Sequence, residues 1–178
     1  MKKTWLVCVA ALVLVGALAA PVLAQEMNAS KVAQSPEWQK LSTLVGEWDA
    51  VFEMPDGKKL NSHLEVRMTG DKSALMHLMD RDTPHEMVTM IHPDGTRILA
   101  THYCAAHNQP RMALVPSKNP NEVAFDFVDG TNIAPGDHHM KSVLFRFVDA
   151  DHHEEEWMSV GADGKPTPAT FKYTRAKK

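Results

Sequence analysis

The chain has 178 residues, and its 22 acidic and 19 basic side chains give a formal net charge of −3. A slightly acidic chain of this length can form one ordinary domain with its own core, and the lack of a basic stripe argues against binding to nucleic acid.

The first 24 residues have the pattern of a secretory signal peptide. Two lysines precede an apolar run at 5–20, and Val22 and Ala24 occupy the −3 and −1 positions of a cleavage site before Gln25. The run is shorter than the ~20 residues that a membrane span requires. We therefore expect cleavage between Ala24 and Gln25, export to the periplasm or the medium, and no membrane span in the mature chain.

The mature chain is expected to contain a lead-in at 25–34 and a single domain at 35–178. Loss of the two leader lysines changes the formal charge from −3 to −5, and loss of Cys8 leaves Cys104 as the one remaining cysteine. An internal disulfide is then impossible. A lone thiol in an oxidising compartment is either buried and inert or reactive.

One short amphipathic helix is predicted at the start of the domain. Ser35 is a suitable N-cap, Pro36 suits the first helical position, and Gly46 is the expected stop. The apolar residues at helical spacing are Trp38, Leu41 and Leu44.

The rest of the domain has the pattern of an all-β protein. Asp-Gly pairs, a strong hairpin signal, recur at 56–57, 94–95, 129–130 and 163–164. About ten strand-like runs lie between the turns, at 47–54, 60–68, 74–80, 86–92, 97–104, 112–117, 122–128, 142–148, 155–160 and 170–175. Their near-regular spacing predicts an up-and-down antiparallel β-barrel.

The residues at the two ends of the domain resemble the calycin and lipocalin families. "GEW" at 46–48, after a short helix, is similar to their G-x-W signature, and Arg175 on the last strand matches the arginine that lies across the tryptophan in those barrels. The runs "HEMVTM", "THYCAAHNQPRM" and "FDFVDGTN" resemble a bacterial family of secreted lipocalin-like domains without assigned function. The resemblance implies a calycin-like barrel that Trp48 and Arg175 close.

Successive turns of an up-and-down barrel alternate between two ends. We call the end nearest the helix the lower end and the opposite end the upper end. When the turns are assigned to the two ends in chain order, nine side chains of several chemical types fall at or near the upper end: His85, His102, Cys104, His107, Asn108, Gln109, Arg111, Asn132 and His139. Because ligands enter small barrels through the open end, these residues predict an exported protein that binds a small molecule there.

A metal or haem site is the first alternative. A two-residue turn at Asp94-Gly95 would place His85 opposite Cys104 and Met87 opposite His102, and facing side chains share a sheet face. The candidate ligands are then His85, His102, Cys104 and His139, which carry imidazole and thiolate groups that zinc, copper or iron accept. The barrel also resembles nitrobindin-like haem carriers, which use one axial histidine. The sequence leaves the cofactor open, including its absence.

An enzyme that uses Cys104 and His85 is the second alternative. An adjacent imidazole could activate the thiolate as a nucleophile. Because no oxyanion-hole signature accompanies the pair, we expect a binding protein rather than an enzyme.

Two further patterns are interpreted as structural. Asp126 and Arg146 occupy matching places in "AFDFVD" and "LFRFVD" and predict a cross-strand ion pair. The run "HHEEEW" at 152–157 is interpreted as a solvated loop at the lower end, where alternation prevents a compact calcium cage.

Overall fold

The computed structural model describes residues 35–53 and 59–177, which form one helix and ten strands. The helix is α1 (Pro36–Ser42). The strands are β1 (Gly46–Glu53), β2 (Lys59–Thr69), β3 (Ala74–Met79), β4 (Met87–Asp94), β5 (Arg97–Tyr103), β6 (Gln109–Val115), β7 (Glu122–Thr131), β8 (His139–Phe147), β9 (His152–Val160) and β10 (Pro166–Arg175). The predicted leader, the lead-in and the turn at 56–57 lie outside the described residues.

The ten strands form a closed antiparallel barrel. Each strand pairs with its neighbours in the chain, and β1 pairs with β10 to close the sheet. This topology confirms the predicted all-β, up-and-down barrel of about ten strands. Turns therefore alternate between two ends, with α1 at the lower end. Within 35–53 and 59–177, no helix has the length and apolar character that a membrane crossing needs.

Alternation of the side chains fills the inside of the barrel. Along β9, for example, His153, Glu155, Trp157 and Ser159 are buried, whereas the residues between them are partly exposed. Most inward positions are apolar, so burial of these side chains provides the main favourable free energy of folding. The largest buried hydrophobic side chains that the strands contribute are Trp48, Trp157, Tyr173, Phe125 and Phe145.

Helix α1 packs on the lower end and is shorter than predicted. The Ser35 side chain accepts a hydrogen bond from the backbone N–H of Trp38 at 3.2 Å, which confirms the N-cap. The helix ends at Ser42 rather than continuing to Gly46, because the backbone N–H groups of Thr43 and Leu44 bond to carbonyls only three residues back. This tighter turn directs the chain into β1.

Trp48 and Arg175 close the lower end, as the resemblance implied. Trp48 faces Arg175 across the β1–β10 pair, and the guanidinium carbon lies 4.0 Å from the indole ring centroid. Arg175 also donates hydrogen bonds to the carbonyls of Thr43, Val45 and Ala150 at 3.0–3.1 Å. A Cβ atom at Gly46 would lie 2.6 Å from Arg175 Nη1, and the φ of Gly46 is +142°. The glycine of the signature is therefore required by backbone conformation and by space.

The β4–β5 hairpin corrects the predicted register. Asp94 belongs to β4 and pairs with Arg97, so the turn residues are 95 and 96. Thr89, rather than Met87, faces His102, and His85 precedes β4 in an exposed loop and does not face Cys104. The two-residue displacement follows from a turn that begins one residue later than the Asp-Gly pattern suggests.

Three other sequence interpretations are also wrong. Asp129-Gly130 is part of β7 rather than a turn. Arg146 pairs with Glu122 at 3.1 Å and Glu154 at 3.0 Å, whereas Asp126 faces Ser142. The run at 152–157 is the start of β9 rather than a solvated loop, because its alternate residues pack inside the barrel.

Candidate functional site

Eight polar side chains are buried among the described residues. They are Ser62, His77, Thr89, His102, Asn108, His153, Glu155 and Ser159. Polar groups removed from water must find partners or destabilise the fold, so each of them requires a structural or functional explanation. Three of them form a network around Glu155, two form a pair near the upper end, and Asn108 lies at the β5–β6 connection. Of the remaining two, Ser62 lies 3.5 Å from the Tyr173 hydroxyl and Ser159 donates to the carbonyl of Thr167 at 3.3 Å.

Glu155 is the centre of a fully buried network that joins β3 and β9. Its Oε1 lies 2.8 Å from His77 Nε2 and 3.1 Å from His153 Nε2, and its Oε2 accepts the Trp157 indole N–H at 2.9 Å. Burial alone would raise the pKa of the carboxyl. The nearby His77 charge and the hydrogen bonds from His153 and His77 outweigh burial and hold the pKa of Glu155 well below its ordinary value. The carboxylate is therefore ionised and accepts from both imidazoles.

His102 and Thr89 form the pair near the upper end. The hydroxyl of Thr89 lies 2.8 Å from His102 Nδ1, and the His102 ring centroid is 4.8 Å from that of Trp157. Burial, assisted by the charge of His77, lowers the pKa of His102 to about 4. The ring is therefore neutral at neutral pH. Its second nitrogen, Nε2, is buried and has no partner among the described residues.

Asn108 joins two connections at the upper end. Its Nδ2 donates to the backbone carbonyl of His138 at 2.8 Å, which links the β5–β6 and β7–β8 connections. The Oδ1 atom on the same amide is buried and finds no partner within the described chain. Cys104, half-buried, begins this turn, since its N–H bonds to the carbonyl of Asn108 at 3.0 Å.

The other predicted upper-end residues occupy varied environments. Gln109 Oε1 accepts hydrogen bonds from Thr131 at 2.6 Å and Asn132 at 3.2 Å. His139 Nδ1 lies 2.8 Å from the carbonyl of Asp137. His85 and His107 are exposed. A role in ligand contact stays a prediction for each of them.

Arg111 lies on the outside of the barrel, although it belongs to the same connection. It is exposed between the buried residues Pro110 and Met112. Its guanidinium forms two hydrogen bonds of 2.5 Å with the Asp129 carboxylate on β7. The side chain is therefore placed to hold β6 against β7 on the outer face.

The predicted metal ligands do not form a metal site in the part of the chain that the structure describes. In 35–53 and 59–177, no group of three or more His, Cys, Asp or Glu side chains has an arrangement that could hold a metal ion. The corrected register also separates His85 from the positions that would face His102 and Cys104 on β5. The same register removes the cross-strand contact between Cys104 and His85 on which the nucleophilic pair depended.

Two cavities reach the upper end. The larger, of about 650 Å³, includes Asp80 and Arg81 of the β3–β4 connection in its lining. The other measures about 390 Å³ and lies among residues of β7, β8, the end of β9 and the β9–β10 connection, including Phe127, His139 and Val160. Of the nine predicted upper-end residues, only His139 lines it. The Phe127 and His139 ring centroids are 4.8 Å apart.

The network around Glu155 was missed by sequence reasoning. A signal was present in "HHEEEW", because the large apolar Trp157 identifies the inward face of β9 and therefore assigns His153 and Glu155 to the same face. His77 and Thr89 carry no comparable signal. Their contacts depend on which strands meet across the inside of the barrel.

Comparison with known proteins identifies the fold. No protein-family model matches the chain, and no curated protein matches it. A protein of unknown function from the DUF3598 family of Nostoc punctiforme is similar in structure, with a TM-score of 0.52 and 14% identity over 76% of this chain; the chain spans about half (49%) of that protein. Rv2717c from M. tuberculosis has a TM-score of 0.55 and 13% identity, covering 81% of this chain and 99% of its own. At these identities the likenesses show a shared fold.

Proposed function

We propose that this protein is an exported β-barrel that binds a small molecule inside its upper end. The observation that carries the proposal is the buried Nε2 of His102, which has no partner in 35–53 and 59–177. His102 is the second-last residue of β5, and its partner Thr89 is the third residue of β4. Both therefore lie within about two residues, or roughly 7 Å, of the upper end of the sheet.

A ligand would remove the cost of this unpaired atom. A buried polar group without a partner destabilises a protein by about 1–3 kcal/mol, unless water or a ligand supplies the missing hydrogen bond. The buried Oδ1 of Asn108 is a second unpaired atom at the same end. Of the four buried side-chain atoms without a partner in the described residues, these two lie at the upper end, whereas Nδ1 of His77 and Nδ1 of His153 belong to the Glu155 network. The two upper-end atoms are the ones that a ligand entering there would reach.

The surrounding side chains suit the apolar part of a ligand. Met79 ends β3 and Met87 begins β4, and both pack against the core at the upper end, as does Met140 near the start of β8. Unbranched thioethers have several rotatable bonds and adapt to irregular shapes. We infer that a ligand would displace these side chains and leave the side chains at the lower end of the barrel unchanged.

Export is part of the proposal and rests on the signal-peptide pattern at 1–24. The test is the intact mass of the protein recovered from a periplasmic extract or the medium. A chain that begins at Gln25 is the expected result. Full-length protein retained in the cytoplasm would contradict export and leave the binding proposal to be judged separately.

Native mass spectrometry of the mature protein from its own extract, combined with elemental analysis, tests the binding role. We expect an organic adduct of one per chain that His102→Leu loses. Thr101→Ala, a change of a partly exposed neighbour on the same strand, should retain it. A bare wild-type chain would contradict the proposal. Zinc, copper or iron at one per chain would favour the metal or haem alternative instead.

A further inference from the structure

We propose that the polar group of the ligand is uncharged, and that a hydroxyl is the group that best fits His102. This inference rests on the proposed function and specifies the chemical class of the ligand. It comes from the charges that surround the inside of the barrel, and it excludes both carboxylates and ammonium groups as the buried end.

The partners of His102 provide no charge to balance an ion. Its Nδ1 meets the neutral hydroxyl of Thr89, and burial keeps the imidazole itself neutral at neutral pH, as its low pKa indicates. A neutral imidazole carries a proton on one nitrogen and a lone pair on the other. Since a hydroxyl both donates and accepts, it can bond to Nε2 in either tautomer.

No unpaired cation is available for a carboxylate ligand inside the described barrel, because His77 already lies 2.8 Å from the Glu155 carboxylate. The buried polar residues in 35–53 and 59–177 include no lysine or arginine. Arg146 pairs with Glu122 and Glu154, and Arg111 pairs with Asp129, all at partly or fully exposed positions. Burial of a carboxylate without a cation is unfavourable, because no attraction offsets the free energy of removing the charge from water.

Glu155 adds a negative charge close to the proposed site. Its Oε2 accepts the indole N–H of Trp157, and the Trp157 ring packs at 4.8 Å from that of His102. A ligand carboxylate at His102 would therefore be repelled by the Glu155 carboxylate, with the Trp157 side chain between them. An ammonium group would gain little from Glu155, because the carboxylate already accepts three hydrogen bonds, two of them from imidazoles.

Isothermal titration calorimetry with three matched probes tests the inference. The probes are octan-1-ol, octanoate and octylammonium at pH 7, which share one chain length and differ in the charge of the polar group. We expect octan-1-ol to bind one per chain and at least about tenfold more tightly than either ion.

The outcomes separate the inference from the proposed function. If octanoate or octylammonium binds as tightly as octan-1-ol, the neutral class is wrong while ligand binding stands. If none of the three binds, the binding proposal fails and this inference fails with it. Octanoate binding that Lys141→Ala removes would place the ligand in the cavity beside His139 and overturn the assignment to His102.

Variants of His102 complete the test. His102→Leu should weaken octan-1-ol binding by about tenfold, the effect of losing one hydrogen bond to a buried group. His102→Gln, which keeps a donor and an acceptor, should weaken it less and also covers the case in which the leucine variant fails to fold. Thr101→Ala is the control on the same strand and should bind as the wild type does. Equal affinity in all four proteins would overturn the role of His102.

Discussion

His102 is buried on β5 at a position where an apolar side chain would cost less free energy to remove from water. Within the part of the chain that the structure describes, its neutral ring has one hydrogen-bond partner, Thr89, and one nitrogen without a partner. The cost of this arrangement has two sources, the missing hydrogen bond and the exclusion of a proton that the unfolded chain would bind. The second source is measurable without a ligand.

The stability of the protein should depend on pH through His102. Its pKa is about 4 in the folded barrel and 6.5 for the ordinary group, so the unfolded chain binds a proton in that interval that the folded chain does not. Stability therefore falls as the pH falls below 6.5 and the loss is complete below about 4. From pH 7 to pH 5, His102 alone accounts for about 2 kcal/mol.

Urea unfolding of the wild type and His102→Gln at pH 7 and pH 5 measures this contribution. The variant should lose about 2 kcal/mol less between the two pH values, whereas Thr101→Ala should follow the wild type. Parallel losses in all three proteins would show that His102 is not a buried neutral imidazole.

Trp48 is the residue on which closure of the lower end depends. It is 2% exposed, donates its indole N–H to the carbonyl of Leu44 at 2.7 Å, and packs against Arg175 and His153. Trp48→Ala should lower the free energy of unfolding by about 3–5 kcal/mol in urea melts. Val51→Ala, on the exposed face of the same strand, is the control. A loss below about 1 kcal/mol for Trp48→Ala would contradict the closure described here.

At the scale of the element, the ten strands were predictable and the hairpin register was not. Strand positions follow from local alternation and turn residues, which a sequence shows directly. The β4–β5 register depends on which two residues form the turn, and Asp94 pairs in the ladder instead of turning. That difference of one residue moved the partner of His102 from Met87 to Thr89.

Strand β1 begins with a glycine for a reason that local pattern alone does not reveal. Gly46 has a positive φ, and Arg175 from the far end of the chain occupies the space where its Cβ would lie. Gly46→Ala should therefore destabilise the barrel by about 1–3 kcal/mol. Gly161→Ala provides the control, since its Cβ would meet no described atom within 4 Å. Equal stability of the two variants would refute the steric explanation.

At the scale of the whole molecule, closure of the barrel determines what the inside contains. The β1–β10 pair brings the ends of the domain together, and the cross-barrel contact of His77 with Glu155 joins residues 78 positions apart. Such contacts follow from closure and strand stagger rather than from any local pattern. Strand order and turn positions were enough to place His102 and Asn108 at the upper end. The contacts of Glu155 could not be predicted in this way, because they cross the inside of the closed barrel.

The upper end of the barrel is proposed to bind a small molecule through His102. Long-range ¹H–¹⁵N NMR of the imidazoles tests this claim directly, with His102 assigned by its absence from the His102→Gln spectrum. Addition of octan-1-ol should shift the His102 Nε2 resonance until one equivalent is bound, while the exposed His152 at the lower end stays unchanged. An unchanged His102 resonance, with or without shifts at other histidines, would contradict the claim.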